Sequence, residues 1–225
     1  MSKHLKHDLE RLEKRLLLLG ARVEDTVRSS IHALLDRRAD IAHKVIGADP
    51  EIDREEVEIE EECLKILALH QPVANDLRFT AACLKINNDL ERIGDLAVNI
   101  AERAASMERA IAFPIPSSLR QMMEKTTSML RRSLDSFVQA NAALAREVMA
   151  DDEEVDVANR KNIEAMVERM KAGSGNGVET ALAFLSASKN LERIADHATN
   201  IAEDVVYMVE GEIIRHKTSL EVRTG

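Results

Sequence analysis

Carboxylates come in matched sets along this chain of 225 residues. One phrase reads Asn88-Asp89-Leu90-Glu91-Arg92-Ile93-Gly94-Asp95 and continues to Asn99-Ile100-Ala101-Glu102. It returns as Asn190-Leu191-Glu192-Arg193-Ile194-Ala195-Asp196-His197, followed by Asn200-Ile201-Ala202-Glu203. Glu91, Asp95, Asn99 and Glu102 each have a counterpart 101 positions later. At roughly 100° per helical residue they fall at about 0°, 40°, 80° and 20°, a single narrow stripe. Ile86, Leu90, Ile93, Ala97 and Ile100 take the opposite face. Acids four residues apart repel, so a stripe of one sign costs a little helix stability. A bound cation would repay that cost.

A second acidic set makes convergence plausible. Antiparallel helices of equal rise place two residues opposite when their numbers share the midpoint of the hairpin. Asp49 with Asp95, and Asp53 with Glu91, both centre on Pro72. Asp152 with Asp196, and Asp156 with Glu192, both centre on Ser174. Each hairpin thus sets one acidic pair against another. The candidate ligands are Asp49, Asp53, Glu91, Asp95 and Asn99, with Asp152, Asp156, Glu192, Asp196 and Asn200 in the second half. Such oxygen donors suit a divalent or trivalent ion, whether iron, zinc, manganese or magnesium. A solvated helix face is the plainer alternative. Asp49 and Asp152 are also ordinary N-cap candidates, and Asp53 and Asp156 complement a helix dipole. His197 lies off the stripe, and Arg92 and Arg193 read as partners of neighbouring acids.

The elements carrying these residues are helices. Apolar residues recur at three- and four-residue spacing, beginning with Leu5, Leu9, Leu12, Leu16 and Leu19 and running through Val23, Val27, Ile31 and Leu34. A short helix is expected over 40–46. Asp49-Pro50 then reads as an N-cap with Pro in the first turn of a second helix, ending near Gln71-Pro72. A third is expected over about 75–110, with Asn75-Asp76 as its capped start. Phe113-Pro114-Ile115-Pro116 breaks the pattern. After it come a helix over about 117–139, a short segment through Val148, and a helix from about Asp152. Gly173-Ser174-Gly175-Asn176-Gly177 marks a turn, and Gly211 closes the last helix. Asp49-Pro50-Glu51-Ile52-Asp53 aligns with Asp152-Glu153-Glu154-Val155-Asp156 at an offset of 103. The expected fold is therefore all-α: two tandem antiparallel three-helix bundles, spanning 1–112 and 113–225.

Composition agrees. Hydrophobic residues make up 45%, aromatic residues 2%, and Trp is absent, so aliphatic side chains, with methionines such as Met122, Met123 and Met129, must pack helix on helix. A net charge of −9 argues against nucleic-acid binding. Cys63 and Cys83 lack metal-knuckle spacing and read as buried, reduced thiols. The start of the chain is charged from Lys3 to Arg15, and Leu16–Leu19 is too short to span a bilayer. A cytoplasmic protein that reaches a membrane only through partners is expected. No phosphate-cradling loop or nucleophile–base pair is visible, so no enzyme activity is expected. A di-metal carboxylate enzyme is the rival, although such sites favour inward Glu-x-x-His pairs. A purely structural helical protein is a second rival.

The tandem layout, Gln71-Pro72 followed by Asp76-Leu77-Arg78, and the paired Leu-Glu-Arg-Ile-Gly/Ala-Asp phrases ending in Asn-Ile-Ala-Glu resemble the PhoU family of phosphate-transport regulators. The resemblance extends over essentially the whole chain. It implies two similar three-helix bundles, a homodimer, and metal clusters on Glu/Asp-xxx-Asp motifs. It also implies negative regulation of the phosphate-starvation response. The partners would be the ATPase of a phosphate ABC transporter and a phosphate-sensing histidine kinase; a PhoU-like regulator of another transporter is the near alternative.

Overall fold

A computed structural model describes residues 3–107, 114–172 and 177–214. Among them are seven helices and no strand: α1 (Lys3–Asp36), α2 (Ala39–His70), α3 (Ala74–Ser106), α4 (Ser117–Val138), α5 (Ala142–Ala150), α6 (Asp152–Ala172) and α7 (Val178–Glu210). α1, α2 and α3 pack on one another in the first half, and α4, α6 and α7 in the second. The halves meet where α3 lies on α7 and α1 touches α4, leaving α2 and α6 outermost. The all-α tandem expectation holds. The break proposed at 112/113 and residues 173–176 of the glycine turn lie outside the described residues, while Gly177, the last residue of that turn, precedes α7 at φ 93°. Pro116 directly precedes α4, and Gly211 closes α7 at φ 77° with its N–H on the Tyr207 carbonyl.

Two local expectations are corrected. Asp49 caps nothing, because α2 runs unbroken through Pro50. Proline removes one helical donor, but Ala42 and Val45 before it and Ile52 after it are all buried on the same bundle, and that packing carries the helix across. The second half breaks at the matching place: α5 ends at Ala150 and α6 starts at Asp152. The start of α3 also differs. Val73 precedes its first residue, Ala74, and Asn75 instead accepts a bond from Arg78 Nη2 at 2.7 Å.

The leucine stripe of α1 is buried, as are the apolar faces of α3 and α7. Lys85–Asp204 at 2.8 Å and Asp89–Asn200 at 3.3 Å share one midpoint, so α3 and α7 run antiparallel. Both helices bury many alanines, among them Ala97, Ala101, Ala195, Ala198 and Ala202, which suits a close approach of their backbones. Around the outside, Arg11 and Arg15 of α1 grip the nearly buried Glu62 of α2 at 2.5 and 3.0 Å. Arg22 holds Glu51 and Glu55.

The repeat is a matter of packing as well as pattern. A Cβ added at Gly94 would stand 3.3 Å from Ile52 Cγ2. In the second phrase Ala195 supplies that methyl, and Val155 replaces Ile52. Asn87 Nδ2 bonds the Glu56 carbonyl and Oε1 at 2.9 and 3.0 Å. Its counterpart Ser188 bonds Asn159 Oδ1 at 2.7 Å. One position breaks the match: Asn162 replaces Ile59, is fully buried, and neither of its side-chain polar atoms has a partner.

Two stability measurements by urea denaturation check this reading. Gly94→Ala is expected to be about 0.5–1 kcal/mol more favourable in an Ile52→Val background than alone, because the swap removes Ile52 Cδ1, which would stand 3.4 Å from the added methyl. Asn162→Ile is expected to stabilise the protein by about 1–2 kcal/mol, by removing a buried unsatisfied amide.

Candidate metal centres

In the first hairpin, α2 supplies Asp49 and Asp53, and α3 supplies Glu91 and Asp95. One carboxylate oxygen from each of Asp49, Asp53 and Asp95 lies within 4.8 Å of the others. Because Asp49 sits inside α2, its side chain is free of any capping role. Asp49 Oδ1 is buried and accepts no hydrogen bond. Glu91 Oε2 is likewise buried and accepts none; Arg92 Nε stands 3.3 Å from it, at ion-pair distance. Arg92 Nη1 is also 3.6 Å from Asp95, so this arginine pairs with its neighbouring acids as expected. Burial, then Asp53 and Asp95, holds the Asp49 carboxyl above its ordinary range. Burial and Asp95 do the same to Glu91.

The second hairpin gathers Asp152 and Asp156 of α6 with Glu192 and Asp196 of α7, but less tightly. Asp196, although exposed, is pushed up to about 6, first by desolvation and then by Asp152, Glu192 and Asp156. Asp152 is raised by burial and by Asp156, while Thr199 Oγ1 donates to its Oδ1 at 3.4 Å and opposes the rise. Among the described residues, only the first hairpin brings three such oxygens within one ion's reach. Arg193 is exposed and forms no ion pair among the described residues, unlike Arg92.

The remaining candidates sit elsewhere. Asn99 is exposed, a turn beyond Asp95. Asn200 donates to Asp89 Oδ1 at the contact of α3 with α7, and His197 Nδ1 meets the same oxygen at 2.7 Å. Beside them is a polar cavity of about 510 Å³ lined by Glu56, Glu60, Lys85, Asp89, Asn200 and Glu203. Reading the repeats did not find this cavity. The available signal was where the copies disagree: Asp89 faces Asn190 in the alignment, and His197 faces Leu96.

Orphaned buried carboxylate oxygens are the observation that fits the first cluster to a cation. Hydrogen-bond donors would normally satisfy such atoms, and an all-oxygen donor set suits hard or borderline ions. Neither cysteine competes as a ligand: burial pushes the Cys63 thiol up to about 12 and Cys83 well above its ordinary value. No helix is long and apolar enough to cross a membrane, among the described residues.

Comparison with known proteins gives consistent results. The family model for the PhoU domain matches twice, at residues 16–104 and 119–205. The PhoU homolog of Pseudomonas aeruginosa, a phosphate-specific transport system accessory protein, is 36% identical over 221 residues, covering 96% of this chain and 89% of its own. That of a Burkholderia species is 35% identical over 219 residues, covering 96% and 93%. The crystal structure of PhoU from Pseudomonas aeruginosa superposes with a TM-score of 0.88 at 35% identity, covering 92% of this chain and 99% of that one. The phosphate transport system regulatory protein PhoU from Streptococcus pneumoniae gives 0.86 at 29% identity, covering 93% and 99%.

The raised carboxyls make a signed prediction for the metal-free protein. A carboxyl with a folded pKa above its unfolded value adds stability below the unfolded pKa and loses it as pH rises through the folded one. Metal-free protein should therefore gain stability as pH falls from about 7 to 5, and Asp196→Asn should flatten that gain. Added divalent ion should reverse the trend, since metal and proton compete for the same oxygens. Thermal melts at several pH values, with and without metal, read all three outcomes.

Proposed function

The chain belongs to the PhoU family, and from that premise we propose that it is a negative regulator of the phosphate-starvation response. As a phosphate-transport accessory protein it takes part in regulating phosphate transport. The finer reading is an adaptor in the cytoplasm. One of its faces meets the ATPase of the phosphate ABC transporter, another meets a phosphate-sensing histidine kinase, and the working unit is a homodimer.

The observation that best supports an adaptor is the doubled, all-α body. Its two halves, joined along α3 and α7, offer separate faces, and its two thiols are buried and inert. Such a protein changes its partners by binding one of their states better than another. Restraint of uptake when phosphate is plentiful follows if the preferred transporter state is the idle one.

Asp49, Asp53 and Asp95, with Glu91 beside them, would hold a metal ion in the first half; Asp152, Asp156, Glu192 and Asp196 would do so in the second. A bound ion would cancel the repulsion between the opposed acids and cross-link each hairpin. The protein's own residues supply the rest: Arg92 offsets part of the charge, and Thr199 orients Asp152.

Deletion of the gene in its host is expected to make phosphate-starvation genes constitutive in phosphate-rich medium, with repression restored by the intact chain. Normal repression in the deletion strain, with no second copy present, would sink the reading. Asp49→Asn/Asp95→Asn in the purified protein should lower metal content, measured by elemental analysis, while leaving the helical circular-dichroism spectrum unchanged.

A further inference from the structure

Four of the seven arginines on α1 and α4, with Lys125, are already engaged by other elements. Arg11, Arg15 and Arg22 bind acids of α2, while Lys125 and Arg132 bind Asp151 and its neighbours Glu154 and Glu147. Three arginines are not used between elements. Arg28 pairs only within its own helix, with Glu24. Arg131 stands 3.9 Å from Asp135, one turn away on the same helix. Arg120 is exposed and has no side-chain partner among the described residues.

All three line one groove of about 410 Å³ between α1 and α4. The helices are tightly apposed at Gly20, where an added Cβ would stand 3.1 Å from Leu134 Cδ1. Beyond that contact the groove extends from Glu24 to Leu35 on α1 and from Arg120 to Arg131 on α4. Its length is roughly 16 Å at 1.5 Å per residue, about three turns of helix. The nearly buried Ile31 and Met123, with the half-buried Leu35, form an apolar floor, and the exposed arginines form the rims.

We infer that this groove is a docking surface for an acidic amphipathic helix of a partner protein. Apolar residues at helical spacing would lie along the floor, and carboxylates on the flanks would meet Arg28, Arg120 and Arg131. Charge complementarity selects this occupant. In a chain of net charge −9, a basic-rimmed groove attracts acidic surfaces. Glu24 and Glu124 interrupt the rims and oppose a continuous polyanion such as nucleic acid. The apolar floor gives no role to a small inorganic anion. The inference rests on the adaptor reading for its biological role, and assigns that adaptor one of its faces.

Two peptides of about 15 residues test it against the full-length chain by fluorescence anisotropy. One is a helix with leucines at i, i+4, i+7 and i+11 and flanking glutamates; the other carries lysines in place of the glutamates. The acidic peptide should bind and the basic one should not. Arg120→Glu/Arg131→Glu should weaken acidic-peptide binding at least ~10-fold, with an unchanged thermal melt, while Arg103→Glu on α3 should have no effect. Single Arg120→Ala and Arg131→Ala variants repeat the measurement if the double reversal perturbs folding. No binding, or equal weakening by Arg103→Glu, overturns the inference. So does binding to phosphatidylglycerol vesicles, or self-association of the chain, that responds to the same reversal in place of the peptide.

In the host, the double reversal should lose repression. If repression survives the reversal but not deletion, the groove assignment fails and the adaptor reading stands. If deletion itself leaves repression intact, the adaptor reading fails, and the anisotropy result alone decides whether the groove binds an acidic helix.

Discussion

The close packing of α3 against α7 is the contact on which the rest of the molecule depends. Each of these helices is the last and most buried of its half, and each carries an acidic phrase on the side turned from its core. Alanines let the helices approach, and Lys85–Asp204, Asp89–Asn200 and Asp89–His197 set the register. These ties fall on one stretch of the contact, toward the start of α3 and the end of α7. Burying Asp204 and most of Asp89 is tolerable only because each has a partner. Once α3 and α7 are fixed, α2 and α6 can lie only on the outside, and each acidic phrase meets the acids of its own hairpin neighbour.

Apolar burial sustains an arrangement that electrostatics opposes. Ile52, Ile59 and Ile66 hold α2 against the bundle while Asp49 and Asp53 are pressed toward Asp95. In the second half Val155, Ala158, Asn162 and Met166 do the same work with less apolar surface. The tighter acidic cluster therefore belongs to the better-packed hairpin. Asp152 in the looser one has Thr199 as a donor, whereas Asp49 Oδ1 has none. Two copies of one pattern have become two different electrostatic environments through a few packing substitutions.

Membership of the PhoU family connects this architecture to phosphate-transport regulation. The physical features that fit such a role are separable faces: acidic hairpins on the outer helices, a polar cavity beside the α3–α7 contact, and a basic-rimmed groove between α1 and α4. A regulator that binds several proteins needs such separation, since a surface occupied by one partner is closed to another.

The helical class, the doubling and the opposition of Asp49 to Asp95 across the hairpin were legible from residues alone; that Asp53 also closes on Asp95 was not. Each legible feature depends on local periodicity or on the near-constant rise of helices about a turn, which the sequence encodes directly. Tertiary structure decided the rest. Whether Pro50 ends a helix depends on whether the segment before it is packed, and burial of Ala42 and Val45 keeps α2 whole. Whether Asn200 and His197 join the metal-type cluster depends on what faces them from the other half, and Asp89 claims both. The groove arginines look like any others in the sequence; only the pairing of their neighbours with α2, α5 and α6 leaves them available. Contacts between residues a hundred positions apart are set by how the helices pack on one another, and no periodicity within a single helix reports them.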